Sequence, residues 1–221
     1  MKKTIIFMLM LLLTLSLGAC KGAAWASDLP DTASAREAGE KEDTGKGNAP
    51  VSYDIGDIVL DDGTVVKAAA LDVLDEENLP VAVIAGFGED GTAIGMGVHR
   101  SDAPLPWAED DTENYPAAHF AGSYATTYDL TGECASGWYM PTIAQLHVIY
   151  DNREAINTAL QKIYGLNNEA SMDGLGTNWY WSSSQSDSQE DYAWFIHFFN
   201  GYAGECPKNF TNVHALAVRA F

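Results

Sequence analysis

Five histidines, a triple serine, three cysteines and 31 carboxylates are the groups through which this chain of 221 residues could do chemistry. His99, His119, His147, His197 and His214 show no His-Glu-x-x-His spacing, so no helix face offers two imidazoles to a metal. Ser182, Ser183 and Ser184 lack the Gly-x-Ser-x-Gly turn that lifts a nucleophilic hydroxyl out of a sheet, and no glycine-rich phosphate loop is visible. Asp187, Glu190 and Asp191 carry oxygens of the kind calcium takes, but a solvated acidic loop has the same composition. The sequence therefore points to contact chemistry: no catalytic residue, no cofactor and no metal site are expected.

Contact chemistry is concentrated between Tyr180 and Tyr202, where small polar and acidic residues lie between two aromatic runs. Read as a strand, the second run puts Trp194, Ile196 and Phe198 on one face and Phe195, His197 and Phe199 on the other. The first set is assigned to a core. The second set, two phenylalanines and a histidine, then faces solvent or a partner, and clustered exposed rings commonly mark a binding surface. The competing arrangement is a second core layer, or cover by residues 101–132. The expected ligand-binding set is Gln185, Asp187, Gln189, Phe195, His197, Phe199, Asn200, Tyr202, Glu205, Phe210, Asn212 and His214.

The elements that must position these residues can be read from turn and capping signals. Asp61-Asp62-Gly63 separates apolar runs at 53–60 and 64–68, and Glu89-Asp90-Gly91 separates 80–87 from 92–98, so two hairpins are expected. Glycines inside the second hairpin suggest bulges or close packing. Residues 101–132 are turn-rich, with a short helix around 115–124. Thr142 and Gln145 form a capping box after Pro141, opening a helix whose Ile143, Leu146, Ile149 and Tyr150 share a face. Asn152 is placed as the cap of a second helix carrying Ile156, Leu160, Ile163 and Tyr164, with Gly165 as its stop. Further strands are expected at 179–183, 192–199 and 215–221.

The beginning of the chain carries an address. Lys2 and Lys3 precede an apolar run from Ile5 to Leu17 that is short for a membrane span and reads as a signal peptide. Leu17-Gly18-Ala19-Cys20 resembles a bacterial lipobox, which implies cleavage after residue 19 and lipidation of Cys20, hence an acyl anchor in the cell envelope. Lys21, in place of an aspartate after the cysteine, favours an outer-membrane or cell-surface position in a two-membrane host. Residues 20–50 are polar, without apolar periodicity, and read as a tether of roughly 30 Å, leaving 51–221 as one domain. Losing Lys2 and Lys3 leaves ten basic residues against 31 acidic ones, so nucleic acid and anionic lipid are poor partners. Cys134 and Cys206 stand either as a disulfide or as two thiols, and the sequence leaves both open.

The ordered series Gly137-Trp138-Tyr139-Met140-Pro141-Thr142, Leu146 and Tyr150, Tyr180-Trp181-Ser182-Ser183-Ser184, Tyr192-Ala193-Trp194, Asn200-Gly201, Lys208 and Val218-Arg219-Ala220-Phe221 carries a resemblance. It is similar to bacterial C-type-lectin-like domains of the formylglycine-generating-enzyme type, found at the ends of collagen-like adhesins and in retroelement-diversified variable proteins. The resemblance covers about residues 130–221, and residues 51–130 in outline. It implies an α+β fold with mixed or antiparallel sheets and two short helices, a core that holds Trp181, Trp194, Ile196 and Phe198, and a ligand-binding face on the loop after the Tyr-Trp-Ser-Ser segment and the following strands. The expected partner is a protein or glycan on a host or neighbouring cell surface, bound by a monomeric domain. In diversified members the varied positions draw on a residue set that includes those at Asp187, His197, Phe199, Tyr202, Cys206, Phe210 and His214, whereas Glu190 and Glu205 lie outside it. The Glu-Pro-Asn and Trp-Asn-Asp sugar-chelating motifs of animal C-type lectins are absent, as is the close cysteine pair of the oxidase branch. The readings that remain are a binding protein, a self-assembling envelope or fimbrial subunit and, least supported, an oxidase.

Overall fold

The computed structural model describes residues 52–108, 114–167 and 174–221; the signal, Cys20 and the tether lie outside them. The Asp-Gly signals act as expected. β1 (Ile58–Leu60) and β2 (Val65–Val66) pair antiparallel, as do β3 (Pro80–Phe87) and β4 (Ala93–Arg100). In each turn an aspartate side chain accepts a backbone N–H two residues on, Asp62 from Thr64 at 2.7 Å and Asp90 from Thr92 at 3.0 Å, and the glycine between them takes positive φ. These local bonds specify the turn before any tertiary contact forms.

The sheet continues through β8 (Leu216–Ala220), giving the order β2-β1-β3-β4-β8. Both of its faces are covered, so β3 reads as an unbroken apolar run, not an alternating one. Val83 and Ala85 join a cluster with α3 (Ile143–Asp151) and α4 (Arg153–Leu166), while Val81 and Ile84 join a second cluster with α1 (Pro116–Gly122) and α2 (Tyr124–Thr127). The interior glycines are seats for rings and helices. A Cβ at Gly95 would lie 2.4 Å from the Phe221 ring, one at Gly97 2.5 Å from Tyr124, and one at Gly86 2.2 Å from Val148.

The capping box on α3 is complete: Thr142 accepts from the Gln145 N–H, and Gln145 accepts from the Thr142 N–H. The same turn is tied to the next sheet, since Ser184 Oγ accepts from the Ile143 N–H at 3.1 Å and the Ser183 N–H donates to Pro141. The serine run is thus a fastening. Two details differ from expectation. Asn152 stands at the start of α4 but makes no side-chain cap; its amide donates to Ala85 and Val148 instead, holding the helix junction against β3. Gly165 does not stop α4, which runs one residue further to Leu166.

A second sheet has the order β5-β6-β7, from β5 (Trp179–Gln185), β6 (Tyr192–His197) and β7 (Tyr202–Pro207). Tyr180, Ile196 and Phe198 face the cluster under α3 and α4, and Trp181, Ala193, Phe195 and Cys206 face the other. Antiparallel sheets with a few helices make this an α+β fold, as expected from the sequence. β7 was not foreseen, because a glycine within it and a proline at its end weaken the strand signal. Among the described residues, no helix is long and apolar enough to cross a membrane.

Candidate binding face on the three-stranded sheet

The register of the second sheet sets Trp179 opposite His197, and His197 opposite Tyr202. This row crosses all three strands at the end where β6 turns into β7. Trp179 also stacks on Phe195 with ring centres 4.7 Å apart and planes 5° from parallel, and lies 5.3 Å from His197 and 6.1 Å from Phe210. Phe199 follows in the turn, 5.9 Å from His197 and 70% exposed, while Trp179, His197, Tyr202 and Phe210 are half-buried. The result is a partly exposed aromatic surface whose members brace one another.

Phe195 corrects the strand reading, for it is fully buried. Alternation places it on the same side as His197, but Trp179 stacks over it and the Tyr202 ring folds across Gly204, where a Cβ would lie 2.8 Å from Tyr202 and 3.2 Å from Phe195. Phe195 is the floor of the patch, and its rim is the exposed part. Trp194 also departs from expectation: it is half-buried and belongs to neither core cluster. Its cross-strand neighbour is Glu205, so that pair is on the reverse face from the patch.

The remaining expected residues do not converge on one site. Gln185 ends β5, and Asp187 and Gln189 occupy the exposed loop that follows it, at the opposite end of β5 and β6. Lys208 holds that loop, donating to Gln185 Oε1 at 2.6 Å and to the Glu190 carbonyl, with its ammonium 4.8 Å from the Trp107 ring. Asn200 builds the turn, accepting from the Tyr202 N–H at 3.1 Å. Asn212 is exposed. His214 works inside the fold: its backbone bridges Trp179 and Trp181, and its Nδ1 lies 2.9 Å from the Ser101 carbonyl. Trp179, a central member of the patch, was missing from the expected set; its position two residues before Trp181 on one strand face was the available signal.

No disulfide joins Cys134 and Cys206, and both are buried. Burial pushes the Cys134 thiol up, away from the reactive thiolate. Among the described residues no three His, Cys, Asp or Glu side chains converge so as to hold a metal ion.

Burial holds His214 below its ordinary value of 6.5; a hydrogen bond with Ser101 opposes that shift and the Arg100 charge adds to it. Burial likewise lowers His197, opposed by a hydrogen bond with Thr177. The fold thus prefers both rings neutral, whereas the unfolded chain binds its protons near the ordinary value. These groups do not affect stability well above about pH 6.5, and they reduce it as the pH falls below that value toward the folded-state pKa. Replacing His214 with Asn is expected to flatten the fall in Tm between about pH 7 and pH 5, measured by thermal denaturation at several pH values.

No curated protein matches the chain. The family model of the Lcl C-terminal domain matches residues 99–219, a span that runs from the end of β4 through the aromatic patch to β8. Over that span, which is more than half of its length, the chain belongs to the Lcl C-terminal domain family of bacterial C-type-lectin-like domains.

Proposed function

We propose that this chain is a surface lipoprotein whose C-type-lectin-like domain binds a protein or glycan on a host or neighbouring cell, through the patch of Trp179, His197, Phe199, Tyr202 and Phe210. The observation that carries this reading is the exposure of Phe199 above a braced aromatic floor. A large ring held in water by its own turn gains most from a partner, and a rigid base keeps the ordering cost of binding low. The Leu17-Gly18-Ala19-Cys20 sequence supports the lipid anchor, Lys21 supports an outer-membrane or cell-surface position, and the motif series from Gly137 to Phe221 supports the formylglycine-generating-enzyme type of the domain. Binding without catalysis is favoured by the two buried thiols, which lack the exposure an oxidase cysteine needs.

Replacing His197 and Phe199 with Ala is expected to lower attachment of the chain to target cells by about tenfold, a modest hot-spot effect, with Tm unchanged because Phe199 supports little of the core. Unchanged attachment with an unchanged Tm would remove the patch from the reading. The same exposed ring serves the alternative of a self-assembling envelope subunit; a net charge of −19 opposes self-association. Size-exclusion chromatography at micromolar concentration separates the two, since an assembly that dissociates in Phe199→Ala is the result the alternative requires.

A further inference from the structure

The hydrogen-bonding phase of the second sheet can be followed strand by strand. Trp179 and Trp181 exchange backbone bonds with His214, on the side of β5 away from β6. Tyr180 therefore faces β6 and its partner Ile196, and the Phe198 N–H returns to Asn178. The N–H and C=O groups of Ala193, Phe195 and His197 then point at β7, where they meet Cys206, Gly204 and Tyr202. The Lys208 N–H, in phase with these, donates to Asp191. By elimination the N–H and C=O of Ala203 and Glu205 point outward; the Pro207 carbonyl beyond them is taken by the Phe210 N–H at 2.9 Å. Among the described residues no backbone group pairs with the outward groups of Ala203 and Glu205. The opposite edge of the sheet is closed by His214, so β7 is its open side.

We infer that β7 accepts an extended, cationic polypeptide segment as a fourth strand of this sheet. An added strand would satisfy the outward groups of Ala203 and Glu205, and its side chains would alternate between the two faces. One face offers it Tyr202 beside Gly204. The other offers Glu205, half-buried and without an ion-pair partner among the described residues, next to the half-buried Trp194. A lysine or arginine on that side meets a carboxylate and an indole together, which suits a cation in both respects. Charge selects the occupant. The far end of β7 abuts the loop bearing Asp187, Glu190 and Asp191, where Lys208 is already held by Gln185 and Glu190. The whole chain carries −19, so a second copy is repelled where a basic segment is attracted. The edge shares Tyr202 with the aromatic patch but rests on the outward backbone groups of Ala203 and Glu205, which the patch does not use, so Ala203→Pro tests the edge and Phe199→Ala the patch.

The probe is the acetylated, amidated peptide Thr-Val-Lys-Val-Lys-Val-Thr, titrated against the full chain by calorimetry. Saturable binding is expected, about tenfold weaker for Ala203→Pro, which removes one outward N–H at an edge position where proline is tolerated, and weakened for Glu205→Gln. The same peptide with glutamates in place of lysines should not bind. Two further versions carry N-methyl groups on all valines or on all lysines; one of them should lose binding on the unaltered chain, which decides the matter even where Ala203→Pro lowers Tm. Four outcomes would overturn the inference: no saturable binding up to about 1 mM, equal affinity for the glutamate peptide, tolerance of both N-methylated versions, or a dimer of the chain that dissociates in Ala203→Pro.

Discussion

Trp181→Ala should unfold the domain at a temperature about 10 °C lower, a loss of about 3–5 kcal/mol. The residue is fully buried, so truncation removes the largest side-chain volume among the fully buried residues and leaves a cavity that fixed neighbours cannot fill. Its indole also donates to the Leu105 carbonyl at 2.8 Å. That bond has a counterpart in the Trp107 indole, which donates to Ser182 at 2.8 Å. The two tryptophans cross-fasten the segment after β4 to β5, and that segment runs beside residues 208–215 through bonds from Ser101, Leu105, Trp107 and Ala108. Loss of Trp181 therefore opens a void and frees the half-buried Leu105 carbonyl in one change. Thermal and urea denaturation measure it; a shift of under about 1 kcal/mol would mean that the aromatic layer is not what holds the two parts together.

Gly97→Val should cost about 3 kcal/mol through overpacking, even though valine suits a strand better than glycine does. Propensity and packing give opposite signs here, which makes the result informative. The added Cβ alone would stand 2.5 Å from Tyr124 Cζ and 2.6 Å from its hydroxyl. Tyr124 cannot retreat: it is 1% exposed, its hydroxyl accepts from the His99 N–H at 3.1 Å, and its ring packs 4.4 Å from Trp138 and 4.7 Å from Tyr128. Gly122→Ala, where the new Cβ meets nothing within 4 Å, is the control and should move Tm by little. Equal effects from both changes would show that β4 tolerates a side chain at Gly97.

What the sequence disclosed was what neighbouring residues decide among themselves. Asp62 and Asp90 make their turns with partners two positions away, and Thr142 and Gln145 close their box within one helical turn. The faces of α3 and α4 follow from spacing alone, and Leu146, Ile149, Ile156 and Leu160 are all buried as the spacing requires. The candidate site was harder, because alternation separates two faces without saying whether either is wet. Phe195 sits on the face expected to meet solvent and is covered by Trp179 and Tyr202, residues from two other strands. Asn152 has the chemistry of a cap and spends its amide on Ala85, a choice that exists only once β3 lies beside the helix junction. β7 escaped notice because Gly204 makes room for a ring there, so the residue that weakens the strand pattern is the one that packing demands.

The closing partner of β4 is β8, with Ile94 beside Ala220 and Arg100 beside Leu216. These strands lie more than a hundred residues apart in the chain, and the caps, helices and strand pairs between them can each form early and locally. The central sheet cannot, for its last ladder joins residues that a ribosome releases far apart in time. Such distant pairing makes for slow folding, on the order of milliseconds to seconds. Until the final strand arrives, β4 is an unprotected template for other chains, and the nascent domain depends on being shielded during that interval.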